Sequence, residues 1–228
     1  MMKRTVRVVM AGAAGLAAYV LVIRPWHLKW GATRSEAQGP QPGDAIVERP
    51  RIETTRAITI QACAAEVWPW LVQMGQGRGG FYSYDWLENL MGLDIHSAGR
   101  IVPELQDLQV GDILPNGPET PDEGVVVAGL EPERALILRG TLVPGRPMKD
   151  YPIHYDETTT RWFSWTWAFI LDQLEDDTTR LIARLRMDYQ GLAPAMALHL
   201  LMEPSHFVME RKMLLGIKER VEGASELA

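Results

Sequence analysis

The sequence has a single cysteine, Cys63, in 228 residues, so no intrachain disulfide can form, and no Cys/His spacing matches a zinc site. Stability must come from packing, and the redox compartment stays undetermined. Basic charge is also scarce. The 23 Lys and Arg against 29 Asp and Glu give a formal net charge of -6, and the cations are scattered rather than striped. That distribution offers no field to neutralise phosphates and argues against a nucleic-acid partner. Internal repeats and low-complexity tracts are absent. With 46% hydrophobic and 23% charged residues, the composition is neither that of a disordered chain nor of a polytopic membrane protein. No pattern in the chain asks for a cofactor or a metal.

What the sequence does have begins at its N-terminus. Lys3, Arg4 and Arg7 precede an uncharged run of about 16 residues from Val8 to Ile23, followed by Arg24, Pro25, Trp26, His27, Lys29 and Trp30. The run is just short of the ~20 residues that span a bilayer comfortably. The Trp and cationic residues after it suit a headgroup belt. Its bulky end, Val20-Leu21-Val22-Ile23, makes a poor cleavage site, which favours a retained anchor over a signal peptide. Residues 1–30 therefore read as a single-pass membrane anchor with an interfacial segment. Basic residues at both ends leave the side of the folded domain open. Residues 31–51 mix Gly, Pro and charge and read as an extended linker. Residues 52–228 are expected to form one folded domain.

Within that domain, Thr54 to Ala62 alternates as a strand, with Arg56, Ile58 and Ile60 on one face. Ala64 to Met74 switches to helical spacing, placing Val67, Trp68 and Leu71 on one side. A glycine-rich turn, Gly75 to Gly80, leads to a second short helix around Ser83 to Met91. Strand patterns follow at Val110 to Leu114, Gly124 to Leu130, Ala135 to Arg139, Trp162 to Leu171 and Thr179 to Tyr189, separated by Pro, Gly and Asp-Asp turns. Meandering antiparallel pairing is the economical topology. The last element, Ala195 to about Val221, is a long amphipathic helix that Pro204 should kink or break. The predicted fold class is α+β: a helix-grip arrangement in which a curved antiparallel sheet wraps a long C-terminal helix, with two short helices after the first strand.

Phe163, Trp165, Trp167, Phe169 and Leu171 share one face of their strand. The next strand adds Leu181, Ala183, Leu185, Met187 and Tyr189 on one face and Arg180, Arg184, Arg186 and Asp188 on the other, expected to be solvated. The C-terminal helix offers Met196, Leu200, Met202, Phe207, Met209, Met213 and Leu214 as cover. This aromatic face fits a filled core, and it also fits a cavity, because rigid rings opposite adaptable Met side chains make an apolar binding surface. Two loops, Pro115 to Glu123 and Gly140 to Arg161, flank the strands, and the longer one reads as a lid.

Candidate ligand-binding residues are accordingly Phe163, Trp165, Trp167, Phe169, Leu185 and Met187 on the strands. Arg78, Tyr82, Tyr84 and Trp86 join them from the turn and second helix, and His199, Met202 and His206 from the final helix. Gly75 to Gly80 follows a helix and lacks the Lys-Ser/Thr of a phosphate loop. Arg78 within it suits an acidic headgroup or a structural partner such as Asp85. His199, Glu203, His206 and Glu210 fall on one helical face at spacings of four, three and four. Glu203-x-x-His206 mimics half of a di-iron site, but the second half is missing. Asp94 with His96, and His154, are further acid/base candidates. No Ser/His/Asp set can be assembled.

The element order resembles the START-like superfamily, also called SRPBCC or the polyketide cyclase/dehydrase and lipid transport group. Several stretches look like a bacterial membrane-anchored branch of it. They are Arg24-Pro25-Trp26-His27-Leu28-Lys29-Trp30-Gly31-Ala32-Thr33, Pro42-Gly43-Asp44, Thr55-Arg56-Ala57-Ile58-Thr59-Ile60 and Val67-Trp68-Pro69-Trp70-Leu71-Val72-Gln73-Met74-Gly75. Two more are Gly77-Arg78-Gly79-Gly80-Phe81-Tyr82-Ser83-Tyr84-Asp85-Trp86-Leu87-Glu88-Asn89 and Pro103-Glu104-Leu105-Gln106. The resemblance implies a cavity and no shared catalytic motif. The expectation is a membrane-tethered binding protein for an apolar or lipid-like small molecule. Alternatives are a cyclase or dehydratase using His199, His206 or Asp85 as acid/base, and an interaction module with a filled core.

Overall fold

The computed structural model describes residues 10, 12, 14–90, 92–115, 124–142, 162–175, 177–190 and 198–225. It is α+β. One curved antiparallel sheet holds β1 (Ile52–Ile60), β2 (Ile113–Pro115), β3 (Gly124–Glu131), β4 (Ala135–Leu142), β5 (Trp162–Gln173) and β6 (Thr179–Gln190) in the order β1-β6-β5-β4-β3-β2. β2 to β6 form the expected meander, and β1 closes the edge beside β6, pairing Ile52 with Met187 through Ile60 with Thr179. The lid expectation falls on residues 143–161 and the shorter loop on 116–123, outside the described residues, as does His154.

Four short α-helices come before the meander among the described residues. α1 (Arg24–Leu28) and α2 (Arg34–Gln38) precede β1, and α3 (Ala64–Val72) follows it. α2 starts because Thr33 and Glu36 close a capping box, each side chain taking the other's backbone N–H. α3 buries Val67, Leu71 and Trp70. The second short helix, α4 (Asp85–Leu90), comes after the glycine-rich turn, whose Gly75 and Gly80 pair with each other. The last helix, α5 (Glu203–Ser225), is entered through a π-turn at Leu198–Met202. That widened turn meets the break expected at Pro204, since the ring supplies no N–H to the preceding turn.

The side of the sheet expected to be solvated is covered. The chain from Gly31 to Val47, read as an extended linker, carries α2 and lies across it. Ala32 and Ile46 pack on a layer of Ala57, Ile137, Ala168, Ile170 and Ile182. The β6 arginines bind this cover instead of water. Arg180 meets Glu36 at 2.7 Å, Arg184 meets Asp44 at 2.9 Å, and Arg186 meets Asp44 at 3.2 Å and the Val47 carbonyl at 3.0 Å. Cover on both sides explains why β1 is buried at nearly every position rather than at alternate ones.

Upstream, residues 14–18, a π-turn at Tyr19–Ile23 and α1 continue as one helical rod. It exposes Leu16, Val20, Leu21, Val22, Ile23 and Trp26. From Tyr19 onward it docks on the C-terminal helix: Tyr19 Oη donates to the His199 carbonyl at 3.0 Å, and Trp26 meets Phe207 edge-on at 5.3 Å. Among the described residues no helix is long and apolar enough to cross a membrane. The start of the expected anchor lies outside them.

Candidate ligand cavity

The concave face of the sheet is filled at one end and hollow at the other. At the filled end Phe169, Leu171, Leu181, Ala183, Ile58 and Ile60 pack against α5 residues Met213, Leu214, Ile217 and Val221 and against α3. Toward the other end of the same strands, Phe163, Trp165, Trp167, Leu185, Met187 and Met202 surround a cavity of about 300 Å³. Met74, Gly75, Gln76 and Phe81 from the turn, Leu114, Pro115, Val125 and Leu138 from the meander, and His206 complete its wall. The two sequence readings of the aromatic face, core and cavity, therefore apply to different halves of one strand.

Local chemistry sets the walls. Trp165 pairs across the sheet with Gly140, and a Cβ there would stand 2.0 Å from its ring. Only glycine lets the indole lie flat on β4. Trp167 is held by contact with Phe169 at 4.8 Å and by donating from Nε1 to Glu210 Oε1 at 2.7 Å. Phe163 tilts against Trp165 at 5.1 Å.

Behind Trp167 lies a buried ionic seat. Arg56, fully buried on the concave face of β1, donates to the His27 carbonyl at 2.8 Å, to His206 Nδ1 at 2.9 Å and to Glu210 Oε2 at 2.5 Å. A guanidinium only donates, so His206 Nδ1 accepts and its proton sits on Nε2. Burial, with Arg56 acting against Glu210, holds the His206 imidazole below its usual range and hence neutral. A parallel pair sits two turns earlier, where Arg24 takes Glu203 in bidentate fashion at 2.7 and 2.9 Å. Burial alone would raise the Glu203 carboxyl, but the bonds from Arg24 and His199 outweigh it and hold the group low. The expected one-faced quartet on α5 and its entry turn is therefore real, and arginines from elsewhere in the chain answer both of its glutamates.

The candidate residues divide accordingly. Phe163, Trp165, Trp167, Leu185, Met187, Met202 and His206 meet at the cavity. Phe169 belongs to the filled core. Tyr82 is buried beneath the turn, in a left-handed conformation, with Oη donating to the Trp70 carbonyl at 3.0 Å. Trp86 faces outward, 68% exposed, and Tyr84 supplies the carbonyl that starts α4. His199 pairs with Glu203 away from the cavity. Arg78 meets no Asp85. It ties the turn together through the Val72 and Leu105 carbonyls at 3.1 and 2.8 Å, while Asp85 accepts from Ser97. Asp94 and His96 form an exposed couple at 3.1 Å.

The sequence reading missed Phe81, Gln76 and Met74, which reach the wall from a turn whose course periodicity does not give. It also missed Glu88. This α4 residue lines a second chamber of about 250 Å³ that shares Phe81, Trp167 and His206 with the first. Burial and the neighbouring Asp85 charge push its carboxyl up to about 7.

No family model matches the chain, and no curated protein matches it. Among solved structures it is similar to a protein from Mesorhizobium loti at 14% identity over 75% of this chain and 98% of that one, with a TM-score of 0.40. A conserved protein from Geobacillus kaustophilus gives 12%, 76%, 97% and 0.41 in the same order. The Zhui aromatase/cyclase from a Streptomyces species gives 13%, 77%, 93% and 0.27.

Proposed function

We propose that this protein binds an apolar or lipid-like small molecule in the cavity under Trp165 and Trp167, as a START-like helix-grip domain held at a membrane by its N-terminal segment. The observation that carries the ligand reading is the hollow end of an otherwise filled sheet, walled by four Phe and Trp side chains, three methionines and aliphatic side chains. The quoted sequence motifs and the wrapping of the sheet around α5 support the superfamily. The uncharged run from Val8 to Ile23, its basic flanks and the exposed apolar side chains of the helical rod support the membrane.

The test is direct. Full-length protein, taken from membranes and examined by native mass spectrometry and solvent extraction, should carry an apolar molecule. It should also take up a fluorescent fatty acid or sterol, and Trp165→Ala should weaken that uptake about tenfold, the order expected for a lost aromatic contact wall. An empty protein that ignores the whole panel sinks the proposal. Vesicle flotation tests the tether separately.

A second reading, a cyclase or dehydratase, has one observation in its favour. His206 is neutral, fixed in one tautomer, and the titratable group on the described wall of the main cavity. A co-purified molecule chemically altered in a His206→Gln variant would favour it.

A further inference from the structure

Glu88 is the buried group that ligand binding in the main cavity leaves unused. It is 6% exposed and lines the second chamber, where its Oε2 is buried with no partner among the described residues. A buried carboxyl in that state needs a proton, a donor or a cation. Nearby protein cations are committed elsewhere. Arg56 gives Nε to the His27 carbonyl and Nη1 to His206 and Glu210; its Nη2 is buried without a partner among the described residues, but Arg56 does not line the chamber, and the charge closest along α4 is another acid, Asp85, whose own bonds come from Ser97. Glu210 also reaches this chamber.

We propose that the second chamber holds the protonated amino group of an amphipathic amine whose alkyl chain lies in the main cavity, with Glu88 as the counter-ion. This rests on the ligand-binding reading above. Two features favour a cationic donor over an anionic or neutral head. Beside the His206 Nε2–H that both chambers share, the walls carry two buried acceptors with no partner among the described residues, Glu88 Oε2 in the second chamber and Gln76 Oε1 in the main cavity. The rings of Phe81 and Trp167, 6.4 Å apart, stand where the chambers meet and attract a cation through their faces. An anionic head would instead meet the Glu88 and Glu210 carboxyls on the chamber wall.

Decylamine, decan-1-ol and decanoate titrated calorimetrically into the full chain at pH 8, in lipid nanodiscs with empty discs subtracted, separate the possibilities. The amine should bind at least tenfold more tightly than the alcohol, and decanoate most weakly. Glu88→Gln should remove the amine's advantage and leave decanol within twofold. If decanol matches decylamine in the wild type, or if Glu88→Gln keeps the preference, the amine assignment is overturned and the apolar cavity stands. If none of the three binds, both proposals fall. The wild-type comparison decides the matter even where the variant does not fold.

Discussion

The cavity wall depends on a residue without a side chain. Trp165 lies on Gly140 so closely that any Cβ would collide with three atoms of the indole, the nearest at 2.0 Å. Gly140→Ala therefore has to push the ring off β4 and into the space a ligand would use. Overpacking of this kind costs about 1–3 kcal/mol. The expected result is a lower urea midpoint together with weaker uptake of a fluorescent fatty acid. Unchanged binding in a destabilised variant would mean that the ring swings away from the cavity. The alternation Phe163, Trp165, Trp167, Phe169 made the buried face legible in the sequence. It could not show where along that face filling gives way to space, because that depends on which residues of α5 and the 75–81 turn stand opposite. Trp86 and Tyr82, candidate ligand contacts by sequence, stand off the cavity wall. The left-handed turn at Tyr82 sends one ring inward beneath the turn, and α4 presents the other to solvent.

At the scale of elements, α5 is seated on β1 by charge as well as by apolar contact. Arg56 and Glu210 both have fully buried side chains. Arg56→Met leaves Glu210 buried with Trp167 and His206 as its polar partners among the described residues, and breaking such a pair costs about 3–5 kcal/mol. Replacing both, Arg56→Met with Glu210→Leu, should recover most of that loss, because the pair's desolvation nearly cancels its attraction. Urea unfolding of the two singles and the double forms the cycle, and additive losses would refute the coupling. The helical face of His199, Glu203, His206 and Glu210 was visible as a spacing. Its partners were not, since Arg24 lies about 180 residues away and Arg56 is masked as one polar position in a strand pattern. The same limit applies to the outer face of the sheet. Its arginines looked solvated because their acids, Glu36 and Asp44, sit in a stretch whose Gly and Pro content reads as linker.

For the molecule as a whole, these buried groups set opposing responses to pH. Glu203 and Glu36 are held low, so their contribution is complete above the ordinary carboxylate range and is lost as acid protonates them. His206 and His27 are also held low, chiefly by burial. Their contribution is complete above about 6.5 and declines as the pH falls. Glu88 acts in the opposite sense. Its folded-state value near 7 lies above the unfolded value of 4.5, so the folded protein retains a proton that the unfolded chain gives up. Its contribution is therefore present below pH 4.5 and is lost as the pH rises to about 7, a change of up to about 3 kcal/mol. Glu88→Gln removes this one response and leaves the others. In denaturant titrations without ligand, the variant should match the wild type near pH 4.5 and exceed it increasingly up to pH 7, with no further gain at pH 8. A stability difference that is constant from pH 4.5 to 8 would show that Glu88 finds a counter-charge within the folded chain. That result would also remove the reason for seeking a cation from outside.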